Sequence, residues 1–376
     1  MNQYEYVAIC LFGLEKFVAD EIEKLGYKKT ETIDGRVGFI GDESAIARFN
    51  IFSRYSERLY IKLGQFKATT FTELFDGTKA LPFEDFIGSE DTFPVAGSCI
   101  RSQLMSVPDC QSIIKKAIVE RLKLNYDLSW FPENGTLYRI EFFINKDTVT
   151  IMLDTSGAAL HKRGYRPESN AAPLRETLAA AMVNIARLRE DVLLWDPFCG
   201  SGTIAIEGAM MVTNTAPGVN RSFSAESFDF VDNNIWKIAR EEAKDLQKTD
   251  SSFQVYASDI DPKCVSLTKN NAKRAGVFKN IRVFAQNALD IKNDGIRGTV
   301  VCNPPYGERL LDIDEVTQLY RQMGKVFTKL APWQIYILSS VPEFEKIYGK
   351  RADKVRKFYN GKLKCNYYQY FKNKTV

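Results

Sequence analysis

From about residue 166 the chain settles into one repeating pattern, short apolar runs alternating with longer amphipathic ones. The reading gives a helix over 174–187, a strand over 192–196, a Gly-rich turn and a helix over 203–211. Further strands are expected at 254–259, 281–285, 299–302 and 334–339, with helices between them. Continuous apolar strands separated by helices have few solutions, because both faces of every strand must be covered. The expected class is α/β, with a parallel sheet between two helical layers. Residues 212–252, with TAPGVNRSF and a polar helix near 234–247, read as an insertion between the first crossover helix and the next strand.

The front of the chain follows a different pattern. A strand at 4–10, a helix over about 13–25, two strands flanking Asp34-Gly35, a helix near 44–53 and a strand near 58–64 give βαββαβ, a ferredoxin-like order. A second unit spans about 66–155. It holds a helix from Asp109 to Lys123, with Ile113, Ile114, Ala117, Ile118 and Leu122 inward and Lys115, Lys116, Arg121 and Lys123 outward. Strands at 136–145 and 147–154 close it. The expected domains are 1–65, 66–165 and 166–376, each long enough to bury a core.

Composition narrows the chemistry. The 376 residues include one histidine, His161, so a zinc site with two His ligands is impossible and a Ser-His-Asp hydrolase would have to use that residue. No metal site is expected. Seven cysteines without a CxxC pair read as reduced thiols, and no secretory leader or membrane-length apolar run is visible, so a cytoplasmic protein is expected. The net charge is +4, with residues 1–165 at −3 and the rest at +7. Residues 346–376 carry ten Lys/Arg against Asp353 alone, interleaved with Tyr348, Phe358, Tyr359, Tyr367, Tyr368, Tyr370 and Phe371. That mixture suits a nucleic-acid surface or, equally, two strands whose lysines guard a sheet edge.

Four motifs fall at expected strand ends. Asp196-Pro-Phe198-Cys-Gly200-Ser-Gly202-Thr203 joins strand to helix, and its glycines allow close backbone approach to a ligand. Gly200 to Ala205 also fits the G-x-G-x-x-A pattern of dinucleotide enzymes, but a carboxylate at Asp196 would repel pyrophosphate and attract a cationic amino-acid group. Asp259, in Ser-Asp-Ile260-Asp-Pro, can take both hydroxyls of a ribose while Ile260 packs on adenine; Asp259 alone does not choose the cofactor. Asn287 can approach the adenine amino group or simply cap a turn. Asn303-Pro304-Pro305-Tyr306 discriminates best. An amide oxygen and a neighbouring carbonyl can accept both hydrogens of a base amino group and aim its poorly nucleophilic nitrogen at a methyl donor, with Tyr306 stacked on the extruded base.

Together these motifs resemble those of class I S-adenosylmethionine-dependent amino-methyltransferases. HKRGYR (161–166), APLRETLAAA (172–181), DPFCGSGTIAIEGA (196–209), APGVNRSF (216–223) and NPPYGERL (303–310) narrow the resemblance to the THUMP-domain RNA guanine-N2 methyltransferases of the bacterial large-subunit ribosomal RNA type. It implies a C-terminal Rossmann-like class I methyltransferase domain behind an N-terminal α+β module, ferredoxin-like plus THUMP. It implies S-adenosylmethionine as cofactor, with Asp196, Phe198, Gly200, Gly202 and Thr203 at the methionine end, Asp259 on the ribose and Ile260 and Asn287 at adenine. Asn287 departs from the Asp usual there. The target base would meet Asn303, Pro304, Pro305 and Tyr306. Structured RNA is the implied partner, ribosomal RNA or its precursor, with transfer RNA as the alternative. Lys115, Lys116, Lys162, Arg163 and Arg166 are the candidate RNA contacts, against a solvated helix face for the first two and interdomain packing for the others. A catalytically silent RNA-binding assembly factor is the competing class.

Overall fold

The computed structural model describes residues 3–167, 174–306, 313–361 and 363–371, and divides into two units. The first unit comprises Met1–Cys10, Val18–Leu160 and Ser222–Glu241. Its elements in chain order are β1 (Tyr4–Cys10), α1 (Glu15–Lys24), β2 (Lys28–Ile33), β3 (Arg36–Gly41), α2 (Ser44–Phe52), β4 (Ser56–Lys67), α3 (Phe71–Lys79), β5 (Val95–Ile100), α4 (Val107–Tyr126), β6 (Ile140–Asn145) and β7 (Thr148–Asp154). The strands form one sheet in the order β2-β3-β1-β4-β7-β6-β5, antiparallel except for β5 on β6. The βαββαβ order is present, and β4 runs through the expected boundary at 65/66, pairing with β1 on one side and β7 on the other. In α4, Cys110, Ile114, Ala117, Ile118 and Leu122 are buried, whereas Ile113, expected inward, is only half-buried.

The second unit comprises Leu11–Phe17, His161–Arg221 and Glu242–Val376. It holds α5 (Glu176–Ile185), β8 (Leu193–Asp196), α6 (Thr203–Val212), the end of α7 (Asn234–Asp245), β9 (Val255–Asp259), α8 (Pro262–Arg274), β10 (Ile281–Ala285), β11 (Gly298–Cys302), α9 (Ile313–Thr328), β12 (Gln334–Ser339), α10 (Phe344–Tyr348), β13 (Lys354–Asn360) and β14 (Leu363–Tyr370). The sheet runs β10-β9-β8-β11-β12-β14-β13, with the first five strands parallel and β14 antiparallel to both neighbours. Strand order reverses between β8 and β11, which sets the ligand crevice of such a sheet at their carboxyl ends. About half of the insertion, Ser222–Glu241, is part of the first unit, where Phe223 stacks on Trp236 at 5.2 Å and Phe228 on Tyr138 at 4.5 Å.

The basic, aromatic C-terminal stretch is two strands. Tyr348, Phe358, Tyr367, Tyr368 and Tyr370 are buried, so these rings build core and cannot stack on nucleic acid. Among the described residues no helix is long and apolar enough to cross a membrane.

Core packing is tight where α9 meets α10. A Cβ added at Gly324 would lie 1.8 Å from the Tyr348 carbonyl oxygen, a backbone atom that cannot swing aside. Gly324→Ala is expected to destabilise the protein by about 1–3 kcal/mol through overpacking. A thermal midpoint within a degree of wild type would refute that packing.

Candidate active site

All four residues of β8 are buried, ending at Asp196, which is 1% exposed. The chain then turns sharply, with Gly200 at φ +53° and Gly202 at φ +84°. Gly202 is required twice over, since a Cβ there would also sit 2.7 Å from Thr268 Cγ2. Helix α8 fixes the turn from one side: Thr268 Oγ1 donates to the Gly200 carbonyl and Asn271 Nδ2 to the Ser201 carbonyl, both at 2.9 Å. Neither residue was singled out from sequence, where they read as ordinary polar helix positions. Asp259, at the end of β9, accepts the Gly200 N–H at 2.9 Å and the Asp261 N–H at 3.0 Å, one on each oxygen. Its remaining lone pairs leave it able to accept from a diol. Ile260 beside it is 72% exposed, an unusual position for an isoleucine and a ready apolar platform. Asn287 caps the short turn Ala288–Asp290, its amide oxygen accepting the Leu289 N–H at 2.9 Å.

The electrostatics favour a cation. Burial pushes the Asp196 carboxyl up to about 8; the Phe198 N–H, 3.2 Å from Oδ1, pulls it down and Asp259 pushes it up. Among the described residues neither Asp196 nor Asp259 has a basic partner, so a ligand ammonium could supply the missing charge.

β11 lies between β8 and β12 and delivers Asn303 to Tyr306 beside the end of β8. Pro304 is buried and Asn303, Pro305 and Tyr306 are half-buried. Tyr320, from α9, is fully buried; its hydroxyl donates to the Pro305 carbonyl at 2.9 Å and lies 3.1 Å from Ser339 Oγ at the end of β12. These two supports are invisible as motifs, being single polar residues in apolar elements. The Tyr306 hydroxyl donates to Asn303 Oδ1, the oxygen expected to receive a base amino group, so the ring is tied to that amide in this conformation. Residues 168–173 and 307–312, which include parts of the APLRETLAAA and NPPYGERL stretches, lie outside the described residues.

The basic candidates divide. Arg163 is 4% exposed and pairs with Glu207 at 3.3 Å, and the Tyr165 hydroxyl donates to the same carboxylate at 3.2 Å. Arg166 pairs with Glu176 at 2.9 Å and donates to Thr203 Oγ1 at 2.7 Å and the Leu174 carbonyl at 3.1 Å. Both guanidiniums are therefore committed inside the unit, which corrects the expectation that they meet RNA phosphate. Lys162 is exposed. On α4, Lys115 pairs with Glu133 at 2.6 Å, Lys123 with Glu120 at 2.9 Å and Arg121 with Glu84, so Lys116 alone of that face is exposed and unpaired among the described residues.

Residues 163–369 match the family described as RMKL-like, methyltransferase domain, over more than half the chain. The chain belongs to the RMKL-like methyltransferases. Residues 5–60 match the RlmL ferredoxin-like domain and residues 68–154 the THUMP domain. The chain is 43% identical over 373 residues to a Bacillus subtilis (strain 168) protein named "Putative RNA methyltransferase YpsC", covering 99% of this chain and 97% of that one. It is 45% identical, at a TM-score of 0.94, to the structure of "a predicted N6-adenine-specific DNA methylase" from Listeria monocytogenes, covering 99% of this chain and 97% of the other. It is 37% identical, again at 0.94, to "SMU.472, a putative methyltransferase complexed with SAH", with both chains covered at 100%.

Two outcomes are expected from this geometry. A ligand ammonium requires Asp196 as carboxylate, whereas its folded pKa of about 8 keeps it largely protonated at neutral pH. S-adenosylhomocysteine affinity should therefore rise with pH up to about 8, with uptake of the ammonium releasing a proton; the same raised pKa makes the ligand-free fold lose stability as pH rises through that range. Titration calorimetry in buffers of different ionisation enthalpy reads the proton directly, and a pH-independent affinity equal to that of Asp196→Asn would sink the assignment. For the second, Tyr320→Phe should lower kcat roughly tenfold by releasing the Pro305 carbonyl, with S-adenosylhomocysteine affinity unchanged. An unchanged kcat would make Tyr320 a packing residue only.

Proposed function

We propose that this protein transfers a methyl group to the exocyclic N2 of a guanine in large-subunit (23S) ribosomal RNA, with S-adenosylmethionine as donor. The observation that carries the reading is the meeting, at the ends of the adjacent parallel strands β8 and β11, of a buried carboxyl that has no cation among the described residues and an Asn-Pro-Pro-Tyr turn. The residues present fit the donor. Asp196 would offer a counter-charge to its ammonium, the 197–203 turn with Phe198, Gly200, Gly202 and Thr203 would hold the methionine end, Asp259, which keeps free lone pairs, would take the ribose, and the exposed Ile260 with Asn287 would meet adenine. S-adenosylmethionine, when bound, supplies an electrophilic methyl on a sulfonium.

What the chain itself does is orient a weak nucleophile. The Asn303 amide oxygen and the Pro304 carbonyl accept the two amino hydrogens of the flipped guanine, which localises the nitrogen lone pair and points it along the line of transfer. Tyr306 first gives up its hydrogen bond to Asn303 and turns its ring to the base. No general base is needed, because the proton leaves after the nitrogen has reacted. The THUMP match and the name of the Bacillus relative support RNA as the substrate class, and the choice of ribosomal RNA follows the resemblance of the HKRGYR, APGVNRSF and NPPYGERL stretches. A DNA amino-methyltransferase would have no use for the ferredoxin-like and THUMP modules.

Asn303→Ala should lose at least a hundredfold in methyl transfer while binding S-adenosylhomocysteine normally; near-normal turnover would refute the mechanism. Mass-spectrometric mapping of N2-methylguanosine in a deletion strain should find one modification missing from 23S RNA. A loss confined to transfer RNA would reassign the substrate, and a wild-type protein that fails to bind S-adenosylhomocysteine would instead mark a silent RNA-binding factor.

A further inference from the structure

Of the cations that sequence assigned to RNA, Lys115, Arg163 and Arg166 are neutralised within the protein by Glu133, Glu207 and Glu176, leaving Lys116 and Lys162 exposed. The β13–β14 hairpin is different. Lys357 and Lys364 are exposed and have no ion-pair partner among the described residues. The register pairs Tyr359 with Lys364 and Lys357 with Asn366. Directly opposed residues share a face of an antiparallel pair, and so do residues two apart on one strand. Lys357, Tyr359 and Lys364 therefore project from one face of the hairpin, while Phe358 and Cys365, fully buried, occupy the other.

A segment from the start of the chain completes this face within the same unit. Phe12 is 54% exposed, and its ring meets Tyr359 edge-on at 5.8 Å. Gly13 lies against the Lys357 carbonyl, and Arg356, on the opposite face with Phe358, sits over the Phe17 ring at 5.4 Å, so the segment runs along the edge of β13. Lysines on an outer strand ordinarily guard it against pairing with another sheet. Over 356–359 the strand is already lined by Phe12, Gly13 and Phe17, so a guard there is redundant, and guarding gives no reason for a half-exposed phenylalanine against Tyr359. Cations spaced around exposed aromatic rings are what a single strand of nucleic acid takes, phosphate on ammonium and base on ring.

We propose that Phe12, Lys357, Tyr359 and Lys364 form a contact surface for a single-stranded stretch of the substrate RNA, with phosphates on the two lysines and a base stacked on the Phe12–Tyr359 pair. The proposal rests on the RNA methyltransferase reading above. None of the four residues belongs to the methyl-transfer site described above, so the surface acts on RNA capture and leaves cofactor binding untouched.

The test is filter binding of 23S ribosomal RNA, transcribed in vitro and therefore unmethylated, to the full-length protein over a series of salt concentrations. Lys357→Gln/Lys364→Gln should weaken binding and lower the slope of log affinity against log salt by about 1.4, roughly 0.7 for each single-strand phosphate that a lysine no longer neutralises. Phe12→Ala should weaken binding about tenfold with the wild-type slope, because stacking releases no counterions. Both variants should keep wild-type S-adenosylhomocysteine affinity and thermal midpoint, which excludes misfolding as the cause. Wild-type affinity and slope in both variants, with the unmutated protein still binding and methylating the RNA, overturns this surface alone. An unmutated protein that binds S-adenosylhomocysteine but neither binds nor methylates the RNA overturns the functional reading and this surface with it.

Discussion

Two arginines and two glutamates are held almost out of water behind the Gly-rich turn, and the site depends on their compensation. Arg163 and Glu207 are 4% and 0% exposed, and Arg166 closes on Glu176 at 2.9 Å. Removing one member of such a pair leaves a buried charge at a cost of about 3–5 kcal/mol, so the four must assemble together. Arg166 converts that requirement into position. The guanidinium that neutralises Glu176 also reaches Thr203 Oγ1 and the Leu174 carbonyl, fixing the residue at which α6 begins. Among the described residues Glu176 and Glu207 each retain one oxygen without a hydrogen-bond partner, and burial raises the Glu176 pKa. The compensation is thus one-sided.

Charge is arranged oppositely at the strand ends. Among the described residues Asp196 and Asp259 have no cation, and the backbone saturates what it can, two amides on Asp259 and one on Asp196. A carboxyl kept near neutrality by burial costs little while the site is empty of ligand, and becomes a strong counter-charge once a cation displaces its proton. At Asn303 the same economy appears in uncharged form, with the Tyr306 hydroxyl satisfying the amide oxygen. A site assembled from backbone, amides and carboxyls has no need of imidazole, which fits a chain containing a single histidine.

The parallel sheet was legible because strands buried on both faces must be continuous apolar runs, and β8, β9, β10, β11 and β12 fall within a residue or so of the expected positions. Their polar termini, Asp196, Asp259 and Asn303, stood out against that background for the same reason. β5 (VAGSCI) did not, since a half-buried edge strand carries no clear alternation, and α3 was missed with it. The fate of Arg163 and Arg166 does have a signal in the sequence. Glu207 in TIAIEGAMMV and Glu176 in ETLAAAMVNI are single acids in otherwise apolar helices, and a lone buried acid demands a buried base from elsewhere in the chain. Tyr320 and Ser339 had no comparable signal, because a polar atom at the end of an apolar element is read equally well as solvent-facing.

β4 carries a consequence for how the front of the molecule can be divided. Twelve residues long, it contributes hydrogen bonds to β1 along one edge and to β7 along the other. Two modules distinct as sequence families thereby share one ladder. Cutting the chain between them would strip a partner from a central strand and expose an open row of amides and carbonyls on whichever fragment kept it. Local opening should respect the same arithmetic: hydrogen exchange at β1, β4 and β7 should report one cooperative unit, and the ferredoxin-like and THUMP sequences should behave in folding as halves of a single sheet.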